Sequence, residues 1–466
     1  MEQRVPLTPD SPIPFQSNGL STQATSIGQG APEVHPGYGV DDERHSLSVS
    51  GTQVNSPVDS IHDGKEGHDV EKVDDLIGAD IYDPNRPKIH FWAWFTLSMS
   101  TGGLALLIYA QPHQFPGLRQ IGFVVYVANI IIFACIVAAM TMRFVLHKGT
   151  FITSITHSRE AFFVPTIFLA IATIITGTQR YAITEESTSL VWLISALFWG
   201  YVAGSLFVAI AQYSYVFKTH DLGLHTMMPT WILPIFPIML SGTIASVIAE
   251  TQPEMNAIPI IVVGLTCQGL GLSVAFMMYA HMVGRLMSRG KLAIINHTEK
   301  LLTNSLLGMP NREHRAGLFM NVGPPAFTAL AVIGMANGLP DNLDINMGMV
   351  LDMKVIRPIA VVAAIFLWAL SLWWFSIATV SVVLSPPQYF HLNWWALAFP
   401  NTGFILATIS IGNEIQHEGI RWFATGLSIC LLLTYLIVLY NLVRAVVIQD
   451  IMYPGRDEDV LDGTDT

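Results

Sequence analysis

The chain has 466 residues, of which 52% are hydrophobic and only 12% charged, and its mean hydropathy is +0.48. Soluble domains carry about a quarter charged residues, so this composition excludes an ordinary soluble protein and points to a polytopic membrane protein. The formal net charge of −11 reflects acidic residues crowded into the two tails, and nothing in the chain supports nucleic-acid binding.

Residues 1–86 are rich in Ser, Pro, Gly, Asp and Gln. They cannot bury enough apolar surface to offset the entropy of ordering, so a disordered cytosolic tail is expected there. No apolar signal segment stands in this stretch, which leaves the first hydrophobic span as the insertion signal. Residues 87–450 hold ten hydrophobic spans, near 89–110, 120–146, 160–180, 188–217, 227–250, 257–287, 315–339, 354–384, 393–415 and 419–449. Each is close to or above the roughly 20 residues a helix needs to cross a bilayer. Residues 451–466 form a short acidic cytosolic tail. Lys and Arg gather on the side of the N-terminus (Arg143, Lys148, Lys218, Arg285, Arg289, Lys291, Arg312, Arg444 among them), whereas the other side has only Arg119, Arg180, Lys354, Arg357 and Arg421. By the positive-inside rule both termini are cytosolic. The Asn296-His-Thr298 sequon then lies on the cytosolic side and is expected to carry no glycan. Cys135, Cys267 and Cys430 each stand in an apolar run without a close-spaced partner, and read as small buried hydrophobes.

The spans alternate in character. Odd spans hold the helix breakers: Gly102-Gly103, then Pro165, then Pro229, Pro234 and Pro237, then Pro324-Pro325, then Pro400. They also hold neutral polar residues at depth: Thr96, Ser98, Ser100 and Thr101; Thr173 and Thr176; Ser241 and Thr243; Asn321 and Thr328; Asn401 and Thr402. Even spans are smoother and lipid-like, with Pro259 and Pro358 near their ends, where a helix tolerates proline. This pattern predicts an all-α membrane protein of ten transmembrane helices in five hairpins, the broken members inside and the smooth members facing lipid.

Asn321-Val-Gly-Pro-Pro-Ala-Phe-Thr328 is the sharpest of these interruptions. Pro324 and Pro325 deny helical partners to the carbonyls of Met320 and Asn321. Such a break is tolerated in a membrane only where protein or a wet cavity covers it. The half-helix that restarts at Pro324 is expected to turn free N–H groups and a fractional positive charge toward that cavity, which points to an anion path.

Thr96-Leu-Ser-Met-Ser-Thr-Gly-Gly103, Gly177-Thr-Gln-Arg-Tyr181, Val322-Gly-Pro-Pro-Ala-Phe327 and Trp394-Trp-Ala-Leu-Ala-Phe-Pro400 resemble the tellurite-resistance/dicarboxylate transporter family, which includes the plant guard-cell anion channels. Within it the chain looks most like the fungal malic acid transport proteins; the fungal sulfite efflux pumps are relatives. The resemblance covers roughly residues 87–450. It implies a quasi-five-fold ring in which odd helices line a central pore, a homotrimer, and a plasma-membrane transporter of malate and other C4-dicarboxylates. It also implies that Phe399, beside Pro400, plugs the pore. An aromatic ring at a kink gates by swinging on a small helix motion, and an apolar constriction gates by dewetting.

A dicarboxylate path needs donors that do not trap the ligand. Half-helix N-termini and neutral side chains supply weak ones, so the expected pathway comprises Thr96, Ser100, Thr101, Gly102, Thr176, Asn321, Thr328, Asn401 and Thr402. The expected breaks are Pro165, Pro234, Pro324, Pro325 and Pro400. Arg180 is the strongest cationic candidate, because a guanidinium grips a carboxylate through two parallel hydrogen bonds; its structural alternative is a snorkelling residue at the interface. Gln179 is placed to add a donor, and His281 with Arg285 reads as an interfacial pair. No Asp or Glu stands near the middle of an odd span. Proton-coupled carriers usually keep an ionisable group there, so a passive, channel-like path is expected. At about 100 mV, inside negative, a dianion gains roughly 4.6 kcal/mol on leaving the cell. Two other readings stand beside this one: a sulfite or inorganic-anion channel, and a ligand-sensing receptor without flux. No enzyme motif, metal-ligand spacing or cofactor-binding signature appears.

Overall fold

A computed structural model describes residues 92–156, 160–183, 188–219, 227–287, 309–310, 312–340, 353–387, 390–449 and 451. The expected N-terminal tail, the acidic tail beyond Ile451 and the Asn296 sequon lie outside the described residues. Regular structure among the described residues is helical throughout. In chain order the helices are α1 (Phe95–Tyr109), α2 (Leu118–Leu146), α3 (Thr150–Thr156), α4 (Thr166–Tyr181), α5 (Thr188–Thr219), α6 (Phe236–Ile248), α7 (Glu254–Met287), α8 (Gly323–Asn337), α9 (Met353–Leu384), α10 (Phe399–Glu414) and α11 (Glu418–Val447). Among the described residues, eight helical segments are long and apolar enough to cross a membrane. The first and fifth expected spans appear as shorter helices, α1 of 15 residues and Phe236–Thr251. The short α3, between the second and third spans, is an element the hydrophobic pattern does not announce.

The interrupted segments share one local design. A 3-10 stretch runs into a break, and an α-helix restarts beyond it: Trp92–Trp94 before α1, Glu160–Phe163 before α4, Pro229–Ile232 before α6, Arg312–Val322 before α8 and Leu392–Leu397 before α10. Proline sets the restart. Pro165 immediately precedes α4, Pro237 lies in the first turn of α6, Pro324 and Pro325 in that of α8, and Pro400 in that of α10. The first turn has no intrahelical use for its N–H groups, so proline costs little there and its fixed φ suits the helix. Pro165, Pro234, Pro324, Pro325 and Pro400 are all buried.

The freed carbonyls find protein donors. Tyr279 Oη on α7 donates to the Asn321 carbonyl at 2.7 Å, the atom that Pro325 leaves unpaired. On α5, Tyr213 donates to the Trp231 carbonyl at 2.8 Å and Gln212 to that of Ala161, while Tyr201 donates at 2.9 Å to the Pro237 carbonyl inside the first turn of α6. Arg285 on α7 reaches the Met227 carbonyl, so it braces a neighbouring segment and does not serve simply as an interfacial partner of His281. The Asn321 break is thus covered by a tyrosine, with no need for a wet cavity at that carbonyl.

Each interrupted helix packs on the smooth helix that follows it: α1 on α2, α4 on α5, α6 on α7, α8 on α9 and α10 on α11. The interrupted helices also pack in a closed cycle, α1 on α4, α4 on α6, α6 on α8, α8 on α10 and α10 back on α1. Burial follows the same division. The apolar stretches of the third, seventh and ninth spans are 61–89% buried inside the protein, those of the smooth spans 17–39%, and every residue of α6 is buried. Exposed Ile131, Phe207, Phe366 and Leu433 sit on the smooth helices, as a lipid-facing surface requires. Cys135 and Cys430 are exposed on this outer layer and only Cys267 is buried. Two of the three cysteines therefore depart from the expected burial, because a membrane protein places apolar residues on its outside as well.

Candidate functional site

The five interrupted segments converge on one small cavity of about 20 Å³, room for about one water. Thr96 and Met99 come from α1, Leu169 from α4, Leu233 and Phe236 from the break before α6, Met320 from that before α8, and Asn393, Phe399 and Pro400 from the last segment. The walls are largely apolar, with Thr96 and Asn393 as polar exceptions. Asn393 Oδ1 is buried without a hydrogen-bond partner.

Two of the lining residues, Phe236 and Phe399, join Phe327 behind them in a cluster of rings. Phe399 stacks on Phe327 at 5.1 Å and 28° and lies 6.4 Å from Phe236; Phe236 meets Phe327 edge-on at 6.0 Å and 84°. Glycines make room for two of the rings and lie beside the third. A Cβ at Gly103 would lie 3.4 Å from the Phe399 ring, one at Gly403 would come within 2.7 Å of Phe327, and one at Gly323 would collide with Phe236. Expectation named only Phe399. The other two rings carry a readable signal, since Phe236 directly precedes Pro237 and Phe327 follows Pro324-Pro325 within the same turn.

Beyond the rings, helical periodicity continues the cavity's line. Seven residues make nearly two full turns, so Thr176 stands on α4 above cavity-lining Leu169, and Thr243 on α6 above Phe236. Thr243 Oγ1 has no partner, nor do Ser100 Oγ, Ser241 Oγ or either amide atom of Asn321. Leaving a buried polar atom unpaired costs about 1–3 kcal/mol, which makes this set of them within the interrupted segments a functional signal. Thr176 bonds to the Ala172 carbonyl at 2.8 Å and Thr96 to that of Ala93, so their hydroxyls retain lone pairs for another donor.

Other expected pathway residues face neighbouring helices. Thr101 bonds to the Leu97 carbonyl and to Tyr435 Oη on α11, both at 2.8 Å. Gly102 allows α1 to press on Thr173 and Asn129, where a Cβ would collide. Thr328 donates to the Pro324 carbonyl and receives Gln268 Nε2 from α7, each at 2.7 Å. Thr402 bonds back to the Ala398 carbonyl at 3.1 Å and abuts Gly103. Asn401 donates to the Leu397 carbonyl at 2.8 Å and lines a separate groove of about 240 Å³ with Thr379 of α9 and Cys430 of α11.

Arg180 lies at the end of α4, four residues past Thr176 and on the same face. Its Nη1 is 3.3 Å from Glu250 Oε2, with both side chains part-exposed, and its guanidinium carbon is 5.7 Å from the Tyr109 ring centre. Gln179 is committed to Thr251 Oγ1 at 2.9 Å. Among the described residues no group of His, Cys, Asp and Glu is arranged to hold a metal ion. Neutral hydroxyls, amides and half-helix ends can handle an anion by hydrogen bonding and dipole alone.

Comparison with known proteins agrees with this chemistry. The voltage-dependent anion channel (SLAC1) family profile matches residues 90–443. The malic acid transport protein of Schizosaccharomyces pombe is 33% identical over 378 residues, covering 80% of this chain and 82% of that protein. A putative malic acid transport protein of the same yeast is 29% identical, over 80% and 83% of the two chains. The sulfite efflux pump SSU1 of Trichophyton rubrum is 24% identical, over 78% and 90%. A cycle of interrupted helices around an aromatic-lined cavity, together with these matches, places the chain in the voltage-dependent anion channel family as an anion transporter.

Proposed function

We propose that the chain carries malate and related C4-dicarboxylates across the plasma membrane through a channel-like pore, with Phe399 as its plug. The observation that carries this reading is the meeting of all five interrupted segments at one cavity lined by Phe236 and Phe399, two rings of the Phe399–Phe327–Phe236 cluster. In this reading the packing cycle is a quasi-five-fold ring of five hairpins, α1 and Phe236–Thr251 complete ten crossings, and both termini are cytosolic. Residues 1–86 and 451–466 are then cytosolic tails around a transporter domain spanning 87–450. The preference for malate rests on the two malic acid transport relatives, and the homotrimer on family resemblance. Ser100, Thr243 and Asn321 supply weak donors along the path, Thr96 and Thr176 give their hydroxyl protons to carbonyls of their own segments, and among the described residues no Asp or Glu lines the cavity. Such a path carries anions down their electrochemical gradient without a proton relay.

The sulfite efflux relatives support a second reading, a small inorganic anion as cargo. Purified protein in vesicles separates the two: radiolabelled malate flux is expected to exceed sulfite flux, and the current in a malate gradient is expected to reverse at the malate potential at two pH values. Faster sulfite flux favours the second reading. Ligand binding without flux of either anion marks a receptor and removes both.

A further inference from the structure

The rim at the far end of α1 and α4 holds a cluster that the pathway does not use. Arg119, near the start of α2, places its guanidinium carbon 4.9 Å from the Tyr109 ring centre and donates from Nη2 to Tyr109 Oη at 3.2 Å. Arg180 approaches the same ring at 5.7 Å, so the two cations lie within about 11 Å of each other. Tyr181 meets Tyr109 edge-on at 5.2 Å and anchors its own hydroxyl on the Ala105 carbonyl at 2.7 Å. Gln179 ties this end of α4 to Thr251. The ring is therefore held between fixed helix ends. One carboxylate, Glu250 at 3.3 Å from Arg180, serves the pair, and Arg119 meets no carboxylate among the described residues.

We propose that Arg119 and Arg180, bracketing Tyr109, form a capture site for a dicarboxylate at the pore rim, with Glu250 occupying the Arg180 half as a tethered competitor when substrate is absent. This rests on the anion-transport reading above. The upper limit of about 11 Å on their separation lies within the reach of the ligand class. A guanidinium carbon and a carboxylate carbon stand about 4 Å apart in a bidentate pair, and the end carbons of a four-carbon diacid are about 4 Å apart. A C4-dicarboxylate therefore bridges two guanidiniums up to about 12 Å apart, whereas sulfite engages one at a time. The Glu250 carboxylate matches a substrate carboxylate chemically, so an arriving diacid displaces it without leaving Arg180 uncompensated at any stage.

The test measures half-saturation for malate and for sulfite in vesicles containing the full chain, at matched protein insertion. Arg119→Ala and Arg180→Ala are each expected to raise the malate value about tenfold and the sulfite value less than about threefold, the loss of one bidentate contact. Glu250→Gln is expected to lower the malate value about threefold, and only when Arg180 is present, as a double-mutant cycle reads. Arg119→Lys and Arg180→Lys guard against misfolding; they keep the charge and are expected to fall between wild type and alanine. Malate should also raise the melting temperature of purified wild type more than that of Arg119→Lys. Equal shifts for both anions, an unchanged Arg119→Ala, or a Glu250→Gln that raises half-saturation overturns the site. Wild-type protein that moves sulfite but not malate overturns the malate reading and the site together, while malate flux with unaffected arginine variants overturns the site alone.

Discussion

Phe399 stacks on Phe327 at 5.1 Å, and the Phe327 ring rests on Gly403 of the neighbouring segment. Two helices that restart at proline thus meet through a flat, polar-free contact. Such a contact slides more readily than interdigitated aliphatic packing, because no side chain must leave a hole.

In the proposed pore, Phe399→Ala opens this contact. We expect basal malate conductance to rise several-fold in patch recordings at equal surface expression. Phe327→Ala should act in the same direction more weakly, since it removes the support and leaves the plug. Unchanged current in both variants removes the rings from gating.

Gly403→Ala tests the seat of the second ring. The added Cβ would come within 2.7 Å of Phe327, and overpacking of this kind costs about 1–3 kcal/mol. A lower melting temperature with altered basal current is expected; a wild-type melting curve would mean the ring moves aside freely.

Tyr279→Phe removes the donor that covers the Asn321 carbonyl. A buried carbonyl left unpaired costs about 1–3 kcal/mol, so the variant should melt several degrees lower in detergent. Pore selectivity should be retained, because the tyrosine stands on the outer side of the break.

Much of the architecture is legible in the chain itself. Pro165, Pro237, Pro324 and Pro400 mark where helices restart, because proline without its N–H fits the first turn and little else in a helix. The smooth helices declare themselves through runs such as Ile130-Ile-Ile-Phe133. The donors that cover the breaks are not legible, since Tyr213 and Tyr279 on outer helices look like ordinary apolar-phase aromatics until the fold sets them against a freed carbonyl. The direction of each hydroxyl is likewise a tertiary matter. Thr101 and Thr176 read alike in sequence, yet Thr101 bonds across to Tyr435 while Thr176 continues the line of Leu169. The Arg180–Glu250 pair joins residues 70 positions apart, a separation at which no local pattern operates.

That difference gives a paired prediction. Thr101→Val should leave malate flux near wild type and cost about 1 kcal/mol of stability through the lost hydrogen bond. Thr176→Val should lower flux several-fold with little change in melting temperature, as its only protein bond is to its own helix. The reverse result would place the path on the other side of α1.

The central claim is that the interrupted helices enclose an aqueous route for anions, and Thr243, two turns above the Phe236 ring with an unpartnered hydroxyl, lies on it. The most direct measurement applies a negatively charged, membrane-impermeant thiol reagent to Thr243→Cys in the Phe399→Ala background during malate current recording, with Phe399→Ala alone as the control for Cys135, Cys267 and Cys430. Rapid modification that blocks the current and is slowed by malate is expected. A Thr243→Cys thiol that only a lipid-soluble reagent reaches, with current unaffected by the charged one, would contradict it.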